Sequence, residues 1–341
     1  MSTAHSTAVP VAVGIDVAKA TLSVCIRTAE GTERALTIRN TDADVNTILV
    51  PRLAGCSGSV VMESTGHYHW TPALSLRAQG FDVRVVNPLL SKQYTAGNIR
   101  KVKTDPADAR SLAHMAAVDT RLPPPFTVST QELSMRKTLA TIGSMGHQVQ
   151  ALSASLKSMR EAQAILGASD TEAIRTLEAS IKTLKLSLAA LERECVATAS
   201  ADTAQQKTLA LLTSIPGVSD FCATLALNWF TNRAGVTDKS WVAFAGLDVS
   251  SRESGTWRGR CKLTKRGNAF LRKRLYSAAW GAVMNHDIFR MYYDTLRGAG
   301  RVHTEALIII ARKIVRTMFA VLQSETPFDM SKFQYGKAHN A

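Results

Sequence analysis

The sequence is short of cysteine, of long apolar runs and of acid. Its five cysteines, Cys25, Cys56, Cys195, Cys222 and Cys261, lie far apart and form no Cys-x-x-Cys pair. Neither a disulfide frame nor a thiolate zinc site is expected, and the thiols read as free in a reducing compartment. No run approaches the ~20 apolar residues that span a bilayer. Met1 to Pro10 has neither a basic n-region nor an apolar h-region, so no secretion signal is expected. Asp and Glu number 27 against 41 Lys and Arg, for a net charge of +14 and a pI near 9.8. That balance favours polyanionic partners, of which nucleic acid is the commonest. What is present is enough for a real core: 45% of the 341 residues are hydrophobic and 20% charged. This excludes a disordered chain and suits two or three domains.

The first third alternates strands with helices. Val11 to Val17, Thr21 to Arg27 and Arg34 to Arg39 read as three neighbouring strands suited to hairpin pairing. Thr41 to Ala54 has helical spacing. Ser59 to Glu63 is a short buried strand, 67 to 79 reads as helix stopped by Gly80, and Phe81 to Val86 is a fifth strand. Asn87-Pro88 opens a helix. Asp105-Pro106 opens another through Met115, with Asp105 as N-cap and Pro106 at the first helical position. The order matches a ribonuclease H-like (RuvC-like) mixed sheet with helices on its faces. We expect this α/β domain over 1–125, ending at the stiff Leu122-Pro123-Pro124-Pro125-Phe126 break.

An all-α part follows. Ile142, Met145, Val149, Leu152, Leu156 and Met159 are spaced 3-4-3-4-3, and Ile174, Leu177, Ile181, Leu184, Leu188 and Leu191 repeat that spacing. Residues 126–200 therefore read as an antiparallel helical hairpin with coiled-coil periodicity. Its stripes either close on each other or partly on another subunit, so a homo-oligomer, dimer or tetramer, is expected. Residues 201–341 read as a helical domain. There Ile215-Pro216-Gly217-Val218 is either a helix-hairpin-helix turn, with Gly217 near a DNA phosphate, or an ordinary corner. Thr304 to Leu322 is a final amphipathic helix suited to packing. Arg252, Arg258, Arg260, Lys262, Lys265, Arg266, Arg272, Lys273 and Arg274 form a run of nine cations broken by one acid, Glu253. A solvated face usually mixes signs, so these nine are candidate nucleic-acid contacts.

Asp16 ends the first strand, Glu63 ends the fourth, and Asp105 and Asp108 lie three apart at a helix start. In a ribonuclease H-like sheet the ends of the first and fourth strands are neighbours. Four carboxylates there repel one another unless hard, oxygen-seeking cations, Mg2+ or Mn2+, neutralise them. Two such ions about 4 Å apart activate a nucleophile and stabilise a leaving oxygen on a phosphodiester. Taken singly, each acid also has an ordinary role: strand end, N-cap or helix-dipole partner.

These motifs resemble the DEDD-type transposases of insertion sequences, relatives of the Piv invertase. The resemblance runs through Gly14-Ile15-Asp16-Val17, Met62-Glu63-Ser64-Thr65-Gly66, Asn87-Pro88 and Lys103-Thr104-Asp105-Pro106-Ala107-Asp108-Ala109. It continues through Ile215-Pro216-Gly217, Phe244-Ala245-Gly246-Leu247, Ser254-Gly255 and Thr264-Lys265-Arg266-Gly267-Asn268. It implies that Asp16, Glu63, Asp105 and Asp108 are the metal-binding catalytic acids and Ser254 the catalytic nucleophile. It implies donor and target DNA and a structured bridge-type RNA as partners, no membrane, and a place in the bacterial cytoplasm near the nucleoid. It also implies a composite site in which one subunit's acids meet another's serine. Val249 stands where the family often has proline, and Ser219 where it often has glycine; both concern loop shape. Apart from the family, a serine hydroxyl beside Gly255 leaves room for a DNA backbone, and the nearby cations suit its phosphates. Ser250 and Ser251 are rival nucleophiles, and His67 and His69 have no assigned role.

The expected function is therefore an RNA-guided, metal-dependent DNA recombinase. The rivals are a metal-only nuclease of the Holliday-junction resolvase type, which needs no Ser254, and a non-catalytic nucleic-acid scaffold.

Overall fold

A computed structural model describes residues 10–95, 104–119, 122–167, 171–230, 237–250, 253–254, 257–258 and 262–333. The chain divides into two compact units, Met1–Thr130 and Gln131–Ala341.

The first unit is built on a five-stranded mixed sheet in the order β3-β2-β1-β4-β5. Its strands are β1 (Pro10–Val17), β2 (Thr21–Thr28), β3 (Glu33–Arg39), β4 (Val60–Glu63) and β5 (Val83–Val86). β1, β2 and β3 pair antiparallel, while β4 runs parallel to both β1 and β5. This is the order of elements expected of a ribonuclease H-like sheet. Between β3 and β4 lies a helical segment, α1 (Asp42–Asp44), a π-helical turn Val45–Leu49, and α2 (Val50–Arg52). Sequence spacing reads this stretch as plain helix. Its π turn still buries Val45 and Leu49, so the apolar pattern is the same in either form. α3 (Trp70–Ala78), α4 (Pro88–Thr95) and α5 (Asp105–Val118) complete the unit, and Gly80, at φ +83°, takes the chain away from α3.

Strand alternation decides which side chains meet which layer. Val13, Ile15 and Val17 of β1 and Val60 and Met62 of β4 join one core with Leu49, Leu53, Ala73 and Leu76. Val61 points the other way, into a core with Leu112 and Met115 of α5. Gly14 shares that second face. A Cβ there would sit 2.1 Å from the Ala109 carbonyl oxygen and 2.2 Å from the Ala113 nitrogen, so only glycine lets α5 lie directly on β1.

In the second unit, α6 (Thr130–Leu166) and α7 (Glu172–Ser200) run antiparallel. Arg160 pairs with Glu178 near their turn, and Leu139 and Ile142 share a core with Cys195 and Ala199 at their base. Every residue of the two apolar stripes is buried or half-buried. That base belongs to the same core as the helices that follow, and residues 131–200 fall in one compact unit with the C-terminal region. Those helices are α8 (Thr203–Thr213), α9 (Asp220–Phe230) and α10 (Asp238–Phe244), then α11 (Ala269–Asn285), α12 (Asp287–Gly298) and α13 (His303–Ser324). Expected as purely helical, the region also contains four two-residue strands, β6 (Val249–Ser250), β7 (Glu253–Ser254), β8 (Trp257–Arg258) and β9 (Lys262–Leu263). Among the described residues no helix is long and apolar enough to cross a membrane. Cys25, Cys56, Cys195 and Cys222 are free thiols; Cys261 lies outside the described residues.

Candidate active site

The four acids come from three elements of the first unit. β1 and β4 are in parallel register with Gly14 opposite Val61 and Ile15 opposite Met62. One step further along, Asp16 and Glu63 stand side by side on strands that neighbour at about 4.8 Å. By alternation both share the face of Gly14 and Val61, which α5 covers. Gly14 touches α5 at Ala109, and one turn earlier α5 carries Asp105 and Asp108, at its first turn. The expectation that Asp105 caps this helix needs correcting. Thr104, extended at φ −142° and ψ 147°, occupies the cap and Asp105 is the first helical residue, while the Asp108 N–H reaches back to the Thr104 carbonyl at 3.0 Å. Pro106 then takes the second position, where its missing N–H also costs nothing.

The electrostatics record this convergence. The Asp16 carboxyl is pushed up to about 6, first by burial and then by the negative charges of Asp105, Asp108 and Glu63, with a hydrogen bond from the Val17 backbone opposing. Glu63 Oε2 accepts 2.6 Å from the Ser91 hydroxyl on α4. The cluster is open: among the described residues no three His, Cys, Asp or Glu side chains are close enough to hold one metal ion. The donor set is nonetheless all hard oxygen, and the repulsion felt by Asp16 is what a divalent cation relieves.

Two neighbours of the cluster were not legible in the sequence. Ser91 is one. The other is Asn40, just past β3, whose Nδ2 donates to the Ala18 carbonyl at 2.9 Å and to the Tyr68 carbonyl at 3.0 Å. Its own N–H donates to Ala20 at 2.9 Å. Asn40 thus ties the turn after Asp16 to the loop after Glu63. We expect Asn40→Ala to weaken Mn2+ binding by about tenfold, the lower end for loss of a group that orients ligands, while the far-UV spectrum stays unchanged. Calorimetric titration of the variant checks this, and unchanged affinity would exclude a positioning role.

The two histidines in that loop differ. His69 is buried, and burial pushes its imidazole down to about 4, against a hydrogen bond to the Thr65 backbone. It packs as a neutral ring. His67 is exposed, with its ring 4.6 Å from that of Tyr68 and 6.0 Å from that of Trp70.

In the second unit, Ser254 lies on a β-arm. β6 pairs with β9, Ser250 opposite Lys262, and β7 pairs with β8, Ser254 opposite Trp257. The foot of the arm is held by motif residues. Gly246, at φ +67°, and Gly267 meet backbone to backbone, since a Cβ on Gly267 would stand 1.9 Å from the Phe244 carbonyl oxygen. The Thr264 N–H donates to the Asp248 carbonyl at 3.0 Å. Ser250, a rival nucleophile, donates its hydroxyl to the Lys262 carbonyl at 3.3 Å. Ser251, Arg252, Gly255 and Arg260 lie outside the described residues, and Ser254 and Arg258 are described by backbone position alone.

Of the other expected nucleic-acid contacts, Lys262, Lys265, Arg266 and Lys273 are exposed. Arg272 and Arg274 are already engaged within the unit. Arg272 donates to the Ala245 and Gly267 carbonyls, both at 3.4 Å. Arg274 pairs with Glu192 and lies over the Phe221 and Phe270 rings at 4.9 and 5.3 Å. Gly217, at φ +82°, packs on α11, where a Cβ would stand 2.1 Å from the Ala278 carbonyl oxygen. Close helix packing accounts for this glycine without a phosphate.

Two family profiles match this chain. Residues 13–159 match the transposase profile DEDD_Tnp_IS110, and residues 209–294 match that of the transposase IS116/IS110/IS902 family. Both segments are thus similar to transposases of the IS110 and IS116 kind. The first holds all four acids and the second holds Ser254. The chain is also similar to the insertion element IS110 43.6 kDa protein of Streptomyces coelicolor, at 29% identity over 120 residues, 35% of this chain and 30% of that protein. It is 31% identical over 119 residues to the insertion element IS116 44.8 kDa protein of Streptomyces clavuligerus, again 35% and 30% of the two chains. A third relative is the insertion element IS900 42 kDa protein of Mycobacterium paratuberculosis, 30% identical over 84 residues, 25% of this chain and 21% of that one. This chain aligns with less than a third of the length of each of these curated relatives.

Proposed function

We propose that this protein is an RNA-guided, divalent-metal-dependent DNA recombinase that moves an insertion sequence. The observation that carries the proposal is the placing of Asp16 and Glu63 on the face of β1 and β4 that α5 covers, one turn from Asp105 and Asp108, with Asp16 pushed up to about 6 by burial and then by the charges of the other three. The transposase matches over 13–159 and 209–294 support the DNA substrate. Asp16, Glu63, Asp105 and Asp108 would hold Mg2+ or Mn2+, which supplies charge for the phosphodiester oxygens and lowers the cost of the leaving group. In our reading the Ser254 Oγ attacks phosphorus and loses its proton to a carboxylate or water. The P–O3′ bond breaks, the strand keeps a 5′-phosphate ester on Ser254, and O3′ leaves as a hydroxyl after taking up a proton. Attack by another strand's 3′-hydroxyl reverses these steps. Strand exchange would pass through a four-way junction, in a dimer or tetramer whose sites combine acids and serine from different subunits.

RNA guidance has its own test. Binding is expected to fall steeply with salt, because each phosphate neutralised releases counterions. At physiological salt, structured RNA transcribed from the DNA flanking the gene should bind more tightly than random duplex DNA. Equal affinities in a filter-binding titration would remove the guide and leave a DNA-binding transposase.

A further inference from the structure

α11 carries a side chain its core does not use. The helix buries Leu271, Leu275, Ala278, Ala279, Ala282 and Val283. Its outward stripe, at helical spacing, is Lys273, Ser277, Trp280 and Met284, all exposed. Trp280 keeps 42% of its surface exposed and takes no part in the hydrophobic core around it. Its ring is nevertheless fixed. The His303 ring at the start of α13 meets it at 5.3 Å and 83°, and the Tyr293 hydroxyl of α12 lies 2.7 Å from His303 Nδ1. Three helices therefore hold an indole in place at the surface.

Along α11 and the segment that leads into it, the charge has one sign. No carboxylate occurs in the sequence between Glu253 and Asp287. Exposed Lys265 and Arg266, at the foot of the Ser254 arm, lead into Lys273, and Trp280 follows about 10 Å further along the helix axis. None of these three cations forms an ion pair among the described residues.

We propose that the outward face of α11, with the segment that leads into it, is a track for unpaired nucleotides, in which Lys265, Arg266 and Lys273 hold the strand's phosphates and Trp280 stacks on a base. The proposal rests on the nucleic-acid function given above and assigns part of it to this face. Cations tracking a backbone beside a fixed aromatic ring are how sequence-tolerant single-strand sites are built. A duplex keeps its bases stacked on each other and offers no free face. A second copy of the chain fits poorly, because a two-fold contact sets the same patch against itself and brings these cations together.

The test is fluorescence anisotropy of the full chain with 5′-labelled 20-mers of oligothymidylate and oligouridylate, and with a 20-base-pair duplex, over a range of salt. Trp280→Leu should bind at least one of the two single strands about fivefold more weakly or worse, with the slope of log K against log salt unchanged and duplex binding unaffected. Trp280→Tyr, which keeps a π-face, should bind within about twofold of the parent. Lys273→Ala should flatten the single-strand slope by roughly 0.7. The two homopolymers distinguish a DNA strand from an RNA strand. Single-strand binding by Trp280→Leu equal to the parent's overturns the proposal. So does a fall in molar mass by light scattering without any change in strand binding, which makes the face a protein contact. A parent protein that binds no nucleic acid at all fails earlier, and with it the function on which this site rests.

Discussion

Asp16→Asn is expected to abolish DNA strand cleavage and, at pH 7.5 without metal, to make the protein more stable. The two effects have one cause. Asp16 is half-buried and feels the charge of three other carboxylates, and burial followed by that repulsion pushes its carboxyl from 3.8 to about 6. A folded-state value above the unfolded one means that protonation favours the fold. That stability is fully present below the unfolded value of 3.8 and is lost as pH rises through about 6. At pH 7.5 the ionised group therefore works against the fold. A shift of about two units corresponds to roughly 3 kcal/mol. Solvent screening of a half-exposed group reduces this, and we expect about 1 kcal/mol. In EDTA the parent should gain urea resistance between pH 7 and pH 5, and Asp16→Asn should gain less while starting higher. Mg2+ or Mn2+ should stabilise the parent more than the variant. Loss of a metal-bearing carboxylate removes several kcal/mol of transition-state stabilisation, a rate loss of about a thousandfold or more. A variant that still cut DNA at the parental rate would remove Asp16 from the chemistry.

The site was legible in the sequence where it depends on strands. β1 and β4 are buried on both faces, so they read as apolar runs, and an acid at the end of each is conspicuous. Parallel pairing of β1 with β4 then follows from the order of elements. The cap of α5 was less legible, because Thr and Asp are both good N-caps and only the extended backbone of Thr104 decides between them. Asn40 and Ser91 were not legible at all. Each acts by a hydrogen bond to a residue 22 or more positions away, and no local pattern encodes that. The β-arm was hidden for a related reason. Its strands are two residues long, and what holds its foot is the contact of Gly246 with Gly267 across twenty residues. Among the cations, sequence counts charge but not partners. Arg274 looks like Lys273 until Glu192, Phe221 and Phe270 are found around it.

Ser254→Ala is expected to eliminate a covalent protein–DNA adduct and to stop recombination while leaving nucleic-acid binding intact. The prediction rests on Ser254-Gly255 lying seven residues past Leu247 in a run of cations, and on Ser254 closing β7 opposite Trp257 on an arm. A serine that attacks phosphorus keeps the strand bonded to protein until rejoining. Incubation with flanking-element RNA, Mg2+ and target DNA, followed by denaturation, should therefore shift labelled DNA to the protein band. The substitution removes one hydroxyl and no charge, so affinity should stay within about twofold, whereas loss of a phosphate-binding cation would change the salt slope. Ser250 and Ser251 are the controls. The Ser250 hydroxyl is already bonded across β6 and β9, so Ser250→Ala should loosen the arm's foot by about 1 kcal/mol at most and keep the adduct. Ser251→Ala should keep it as well. An adduct that survives Ser254→Ala but disappears with Ser250→Ala or Ser251→Ala moves the nucleophile to that serine. Cutting and joining by Ser254→Ala with no adduct in the parent would instead mean that water attacks at the Asp16 cluster, and the protein would be a metal-only nuclease.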